Sequence, residues 1–337
     1  MRKNKSFLCI FLGIILFVNV NIFSQTEANT PEDRLRNEIM WFEEITGGSV
    51  GVGSIHLESG RSFYYNKTIR YPMASTYKIP VAVQLLSHVE KGEIQLSDMI
   101  EIEKTDLHPG SGIISSLLDD PGVILSIHNL LEMMLLISDN SATDLCMEKA
   151  GGSSAVTQKM REIGITDIDI NRPTYVLIAN YLGVKSIQEG KDYSDEELDE
   201  QIEKLSDEER KKASDAFNQD PKDTATPAAM AMLLKKIWDN EILSEENSCL
   251  LLDIMERCET GESRIKGMLP EGTVVYHKTG TIGQTTNDVG IVELPGDAGN
   301  IVVVVFIKEA EIDNEQSAKI IAEIGRTLYD FYLFTDE

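Results

Sequence analysis

Ser75 and Lys78, in the stretch Ser75-Thr76-Tyr77-Lys78, stand three residues apart at the head of an apolar run from Ile79 to Val89. Residues at that spacing share one face of a helix, and the run reads as a buried helix. An amine held partly out of water beside a hydroxyl can be neutral enough to take its proton, which turns a serine into a nucleophile. Alone the pattern is weak, because a serine and a solvated lysine fall at this spacing by accident in many proteins. Two further polar clusters add weight. Ser138 and Asn140 sit in a break beside a second apolar helix, and Lys278-Thr279-Gly280 lies on a strand that can form a sheet edge.

The elements that must carry these clusters can be read along the chain. Residues 1–24 have a basic start (Arg2, Lys3, Lys5), an apolar run from Phe7 to Val20 and a small residue, Ser24, before Gln25. That is the pattern of a secretory signal peptide, with an uncleaved anchor as the minority reading, since the run is shorter than the roughly 20 residues a membrane span needs. Thr30-Pro31-Glu32-Asp33 reads as a helix start, followed by Leu35, Ile39, Phe42 and Ile45 at helical spacing. Ser49 to Leu57 and Ser62 to Tyr65, joined at Ser59-Gly60, read as a hairpin. Three more strands are expected at Thr273 to His277, Gly290 to Leu294 and Ile301 to Ile307, and a last helix through Ile320, Ile321, Ile324, Leu328 and Phe331. The two ends of the chain must therefore meet in one sheet.

The middle, from Ser75 to about Trp238, carries mostly helical signals. Ser126 caps a helix whose Ile127, Leu130, Leu131, Met134, Leu135 and Ile137 are too apolar to face water, and it stops at Ser138-Asp139-Asn140. One helix then runs to Lys149 and another from Ser153 to Gly164. Ile165 to Gln188 shows no clear periodicity. Ser194 with Glu197 and Ser206 with Glu209 are capping-box signatures around Leu198, Ile202, Leu205, Ala213 and Phe217, so an acidic helical hairpin with one apolar stripe is expected near residues 190–218.

Composition narrows the function class. The 337-residue chain has a formal net charge of -25, which argues against nucleic acid and anionic membranes as partners. Cys9 lies within the signal segment, leaving Cys146, Cys249 and Cys258, an odd number that rules out a full disulfide framework; buried thiols are expected, with a single bridge as the alternative. His56, His88, His108, His128 and His277 lack ligand-like spacing, so no metal and no cofactor is expected.

Taken together, the three polar clusters resemble the active-site elements of class A serine β-lactamases and their penicillin-recognising relatives. Further motifs agree: Tyr71-Pro72-Met73-Ala74 before the serine, Thr226-Pro227-Ala228-Ala229-Met230-Ala231, Thr260-Gly261 with Arg264-Ile265-Lys266-Gly267, Leu269-Pro270-Glu271-Gly272, and Thr285-Thr286-Asn287-Asp288-Val289-Gly290. The resemblance covers essentially the whole chain after the signal segment. It implies an α/β plus all-α fold: a five-stranded antiparallel sheet flanked by the terminal helices and packed on a helical domain, with the site in the cleft. On this chain the α/β domain is expected from residues 25–72 and 236–337 and the helical domain from 73–235.

The resemblance also implies roles. Ser75 would attack a carbonyl carbon, with Lys78 as base or proton shuttle. The backbone N–H groups of Ser75 and Thr281 would form an oxyanion hole. Ser138 would pass a proton to the leaving nitrogen while Lys278 keeps the local field positive. Asn140 would hold a substrate amide, and Lys278 with Thr279, beside Gly280 and Thr281 on the strand edge, would bind the substrate carboxylate. The substrate implied is a small β-lactam or a D-alanyl-D-alanine peptide. An exported, periplasmic monomer, not inserted in the membrane once the signal is removed, is expected.

One departure stands out. The family places a glutamate two residues beyond an arginine on the loop that follows the Ser-Asp-Asn element, and it positions the water that cleaves the acyl-enzyme. Here Asn171-Arg172-Pro173-Thr174-Tyr175 supplies the arginine, but Thr174 stands where the carboxylate should be. The chain between Ser138 and Lys278 is also longer than usual, by roughly 35 residues. Three readings follow. One is a β-lactamase in which Asp167, Asp169, Glu189 or Lys78 activates the water; the second is a penicillin-binding carboxypeptidase; the third is a receptor that holds an acyl group and signals through the hairpin.

Overall fold

A computed structural model describes residues 30–108, 110–188 and 195–335. The signal segment, Glu189 and Ser194 lie outside the described residues. The first helix, α1 (Pro31–Thr46), is capped by Thr30 in a reciprocal box with Asp33, and it leads into the hairpin β1 (Ser49–His56) and β2 (Ser62–Tyr65). From the other end of the chain come β7 (Val275–Ile282), β8 (Thr285–Glu293) and β9 (Asn300–Lys308), followed by α12 (Asn314–Phe334). All five form one antiparallel sheet in the order β2-β1-β9-β8-β7. The chain ends therefore do meet in a single sheet, with β7 at its edge.

Side chains alternate between faces along a strand, and β9 shows what both faces do. Val303, Val305 and Ile307 join Leu35, Ile39 and Phe42 of α1 and Ile321, Ile324 and Leu328 of α12 in one core. Val302, Val304 and Phe306 point the other way, into a larger core shared with the helical half. The sheet is thus covered on both faces, which explains why β9 reads as an unbroken apolar run.

Between the strands lie β3 (Tyr71–Pro72), a 3₁₀ turn at Ala74–Tyr77, and α2 (Lys78–Glu90). Then come β4 (Met99–Glu101), α3 (Ile114–Leu117) and β5 (Ile124–Ser126), with β4 paired to β5. After them run α4 (Ile127–Leu136), capped by Ser126, then α5 (Asn140–Lys149) and α6 (Ser153–Glu162). Next come α7 (Thr174–Leu182), α8 (Asp195–Glu203) and α9 (Asp207–Gln219). The run ends with β6 (Thr224–Ala225), paired to β3, then α10 (Pro227–Trp238) and α11 (Glu245–Glu256). Among the described residues no helix is long and apolar enough to cross a membrane.

Two helices depart from the sequence expectation. α7 lies in the stretch without periodicity, and its packing explains this: Leu177, Ile178 and Tyr181 join the main core while Tyr175, Val176 and Ala179 join a separate cluster with Leu198. A helix buried on both sides shows no polar stripe. The helix α11, capped by Ser244, was not expected at all. The strands β7 and β8 run further towards their common turn than the sequence suggests. The thiols Cys146 and Cys258 are buried and free, whereas Cys249 is exposed, against expectation, because it lies on the outer side of α11.

Candidate active site

Ser75 sits in the 3₁₀ turn that precedes α2, with Ala74 before it in the left-handed region at φ 46°. A non-glycine residue there is strained, and such strain persists only where surrounding contacts over-determine it. The Asn287 side-chain amide of β8 donates to the carbonyls of Pro72 (2.9 Å) and Met73 (3.0 Å), while Thr76 Oγ1 donates to Met73 O (2.8 Å). On the other side Met73 N–H donates to Asp223 O at 3.0 Å. The turn is clamped between the sheet and the helical half.

Lys78, one helical turn on, is completely buried. Its Nζ donates to Ser138 O (2.7 Å), Ser138 Oγ (3.1 Å) and Asn140 Oδ1 (3.2 Å). Three of the residues singled out from sequence are therefore joined through one nitrogen. Desolvation, and then the positive charge of Lys278, push the Lys78 amine well below the ordinary lysine value, with Asp144 and Asp139 opposing. Ser138 is itself held at φ 61°. Asp139 fixes this segment: one oxygen accepts from Ala142 N (2.9 Å) at the start of α5, the other from Ile113 N (2.7 Å) and Ile114 N (2.9 Å).

The strand edge closes the other wall. A Cβ on Gly280 would lie 2.6 Å from Met73 O and 2.9 Å from Ser75 N, so only glycine lets β7 approach the serine this closely. Thr281, the next residue, is exposed on the edge, and its hydroxyl accepts from Arg264 Nη2 at 2.6 Å. The Arg264 Nη1 donates to Gly280 O (3.2 Å) and Asn287 O (2.7 Å), bracing the strand. Thr279 Oγ1 pairs with Thr260 Oγ1 at 2.6 Å. Lys278, fully buried, donates to Thr279 O (3.1 Å), and burial brings its amine down to about 8 against the pull of Cys258 and Asp288.

Thr174 is the first residue of α7, and its hydroxyl lies 2.5 Å from Tyr77 Oη, where either oxygen can donate. The Asp144 carboxylate accepts the backbone N–H of Thr174 (2.6 Å) and of Tyr175 (3.1 Å). Asp144, on α5, thereby caps α7, faces His108 at 3.6 Å, and has its carboxyl pushed up by desolvation. Of the acids named from sequence, Asp169 is paired with Arg70 (2.8 Å) and with Arg161, and Asp167 with Arg70 (3.1 Å). Both carboxylates are thus engaged by arginines. His277, beside Lys278 on β7, is buried against Asp288 (2.9 Å).

Sequence reasoning gave no role to Asn287, Arg264 or Asp144. The first two were visible only as matching motifs. Asp144 had a weaker signal: it follows Asn140 by four residues, one helical turn along α5.

The fold and this cleft can be compared with known proteins. The chain is 28% identical to Beta-lactamase VEB-1 of Pseudomonas aeruginosa, over 95% of this chain and 97% of that protein. It is 27% identical to the Extended-spectrum beta-lactamase PER-1 of the same organism, over 92% and 91%. Among solved structures, a beta-lactamase from Chitinophaga pinensis superposes with a TM-score of 0.73 at 27% identity, over 88% of this chain and 98% of that one. The TLA-1 extended spectrum beta-lactamase gives 0.73 at 28%, over 91% and 100%. The model of the beta-lactamase enzyme family matches residues 31–332, from the first turn of α1 to the last of α12, and to that family the chain belongs.

Proposed function

We propose that the protein hydrolyses the amide of β-lactam rings through an acyl-enzyme on Ser75. The observation that carries this reading is the buried Lys78 amine, bonded at once to Ser138 Oγ and Asn140 Oδ1 at the foot of the serine turn. In its neutral form the amine takes the Ser75 proton and the freed oxygen attacks the ring carbonyl carbon. The developing oxyanion is held by the N–H groups of Ser75 and Thr281; supporting this, Gly280, the neighbour of Thr281, comes so near the serine turn that a Cβ on it would lie 2.9 Å from Ser75 N. As the ring C–N bond breaks, Ser138 Oγ gives its proton to the nitrogen and is resupplied from Lys78. Lys278 and Thr279 bind the substrate carboxylate, and Asn140 binds its side-chain amide. Water then cleaves the ester, and no cofactor is called for.

One observation favours slow release of the acyl group. The Thr174 hydroxyl is engaged by Tyr77 and is no base at neutral pH. Slow release would make the protein a β-lactam-binding receptor or, on wall peptides, a D-alanyl-D-alanine carboxypeptidase. The test is intact-mass analysis with a chromogenic cephalosporin. Turnover without a persistent adduct supports the hydrolase; a lasting +Ser75 adduct with negligible turnover supports slow release; an adduct that still forms on Ser75→Ala removes Ser75 as nucleophile. We also read residues 1–24 as an export signal, the mature protein as a periplasmic monomer, and residues 25–72 with 236–337 as one domain beside 73–235.

A further inference from the structure

The hairpin α8–α9 plays no part in the chemistry above, yet it is built onto α7. Val176, Ala179, Val184 and Ile187 pack with Leu198 of α8 in a cluster of their own, joined by Ile202 and Leu205. Gly183, which ends α7 at φ +91°, leaves room for Ala213 of α9: a Cβ there would lie 3.1 Å from the Ala213 methyl. Phe217, near the end of α9, is buried with its ring edge-on to Tyr181 at 5.5 Å and 84°. Behind it the Arg172 guanidinium lies 5.4 Å from the ring centre, fixed by Asp223 (2.6 Å) and Asp220 (3.0 Å).

Tyr181 itself reaches across to the sheet. A Cβ on Gly283 would collide with its hydroxyl oxygen. Gly283, at φ +53°, opens the two-residue turn between β7 and β8. The same end is tied by Gln219 Nε2 donating to Glu309 Oε1 (2.6 Å) and by Ala310 N–H donating to Gln284 O (3.2 Å). The edge of β7 runs from Lys278 past Thr281 to this turn, so the cleft ends where the tyrosine stands. With its carboxylate at Lys278 and Thr279 and its carbonyl oxygen at Ser75 and Thr281, as proposed above, a substrate directs its acyl substituent onward along this edge, towards the turn.

We infer that Tyr181, held in place by Phe217 of the inserted hairpin, is a specificity-determining residue that closes this end of the cleft against β-lactams with bulky acyl substituents. The inference rests on the acyl-enzyme reading above. Its test measures single-turnover acylation of Ser75 by intact mass with two penams, one without an acyl substituent and one with a 2,6-dimethoxybenzoyl group. The wild-type protein is expected to favour the small penam. Tyr181→Ala should move the ratio of the two rate constants at least tenfold towards the bulky one, Phe217→Ala part of the way, and Tyr181→Trp in the opposite direction. Tyr181→Phe, which keeps the wall, should leave the ratio as it is. A ratio unmoved by both Tyr181→Ala and Tyr181→Trp, with thermal melts showing both folded, overturns the gate and leaves the hydrolase standing. Absence of both adduct and turnover in the wild-type protein, with either penam and with a chromogenic cephalosporin, overturns the hydrolase and the gate with it.

Discussion

At the scale of single residues, two buried lysines decide the pH behaviour. In the proposed reaction Lys78 acts only when neutral, above its own lowered value, while Lys278 binds a carboxylate only when charged, below about 8. The signs are opposite, so kcat/KM should rise with pH as Lys78 loses its proton and fall again near 8 as Lys278 does. Lys278→Arg keeps the charge at all these pH values, and a profile recorded from pH 5 to 10 should keep its acid limb and lose its alkaline one. An alkaline limb unchanged in this variant would remove Lys278 as its source. Thr174 makes a second case. Removing its hydroxyl in Thr174→Val leaves the buried Tyr77 hydroxyl without its partner, which should cost about 1–3 kcal/mol by denaturant unfolding. Tyr77→Phe likewise leaves the buried Thr174 hydroxyl without that bond, so a comparable cost is expected. The double variant should then cost clearly less than the sum of the two, which a double-mutant cycle would read directly. The serine, both lysines and the threonine were all legible in the sequence. That the threonine would be locked between a tyrosine and a carboxylate was not, because Tyr77 and Asp144 reach it only once α2, α5 and α7 have packed.

At the scale of elements, the site depends on how closely β7 approaches the serine turn. Gly280→Ala would put a methyl 2.6 Å from Met73 O and 2.9 Å from Ser75 N, and backbone on both sides cannot yield cheaply. Pushing the strand outwards moves the Thr281 N–H off the oxyanion, so acylation should fall by roughly 100-fold while the sheet, pinned by β8, stays formed. Stopped-flow acylation together with a thermal melt separates these effects. If acylation instead survives at near wild-type rate, Thr281 does not serve the oxyanion. The elements that sequence exposed best were those with one wet face and one dry face, or a clear cap: α1 with Thr30, α4 with Ser126, α9 with Ser206 and Glu209. α7 was hidden because the inserted hairpin buries the face that should have been polar. An insertion thus erased the periodicity of the helix it covers, and with it the clue that Tyr181 stands at the end of the cleft.

At the scale of the whole molecule, the two helical additions to the sheet and to the loop should differ in what they support. α12 contributes Ile320, Ile321, Ile324, Leu328, Tyr329 and Phe331 to the core shared with α1 and one full face of the sheet. At about 1.5–3 kcal/mol for each large apolar side chain, their joint loss reaches the roughly 5–15 kcal/mol by which a domain is stable at all. It would also bare Val303, Val305 and Ile307 as a continuous apolar patch. A chain ending at residue 313 should therefore fail to fold, showing no cooperative melt and collecting in the insoluble fraction. The hairpin is different, since most of its apolar side chains fill the satellite cluster on the outer side of α7 and neither of the two cores against the sheet. Gly183 and Ala213 are neighbours, so a short glycine-serine linker can replace residues 185–212 while keeping Phe217 and Arg172. That variant should fold with a cooperative but lower melt, because Val176 and Ala179 become exposed. With α7 loosened, its acylation ratio should shift towards bulky penams in the same direction as Tyr181→Ala. If the shortened chain failed to fold, the hairpin would belong to the core; if it melted as the wild type does, the satellite cluster would carry no stability.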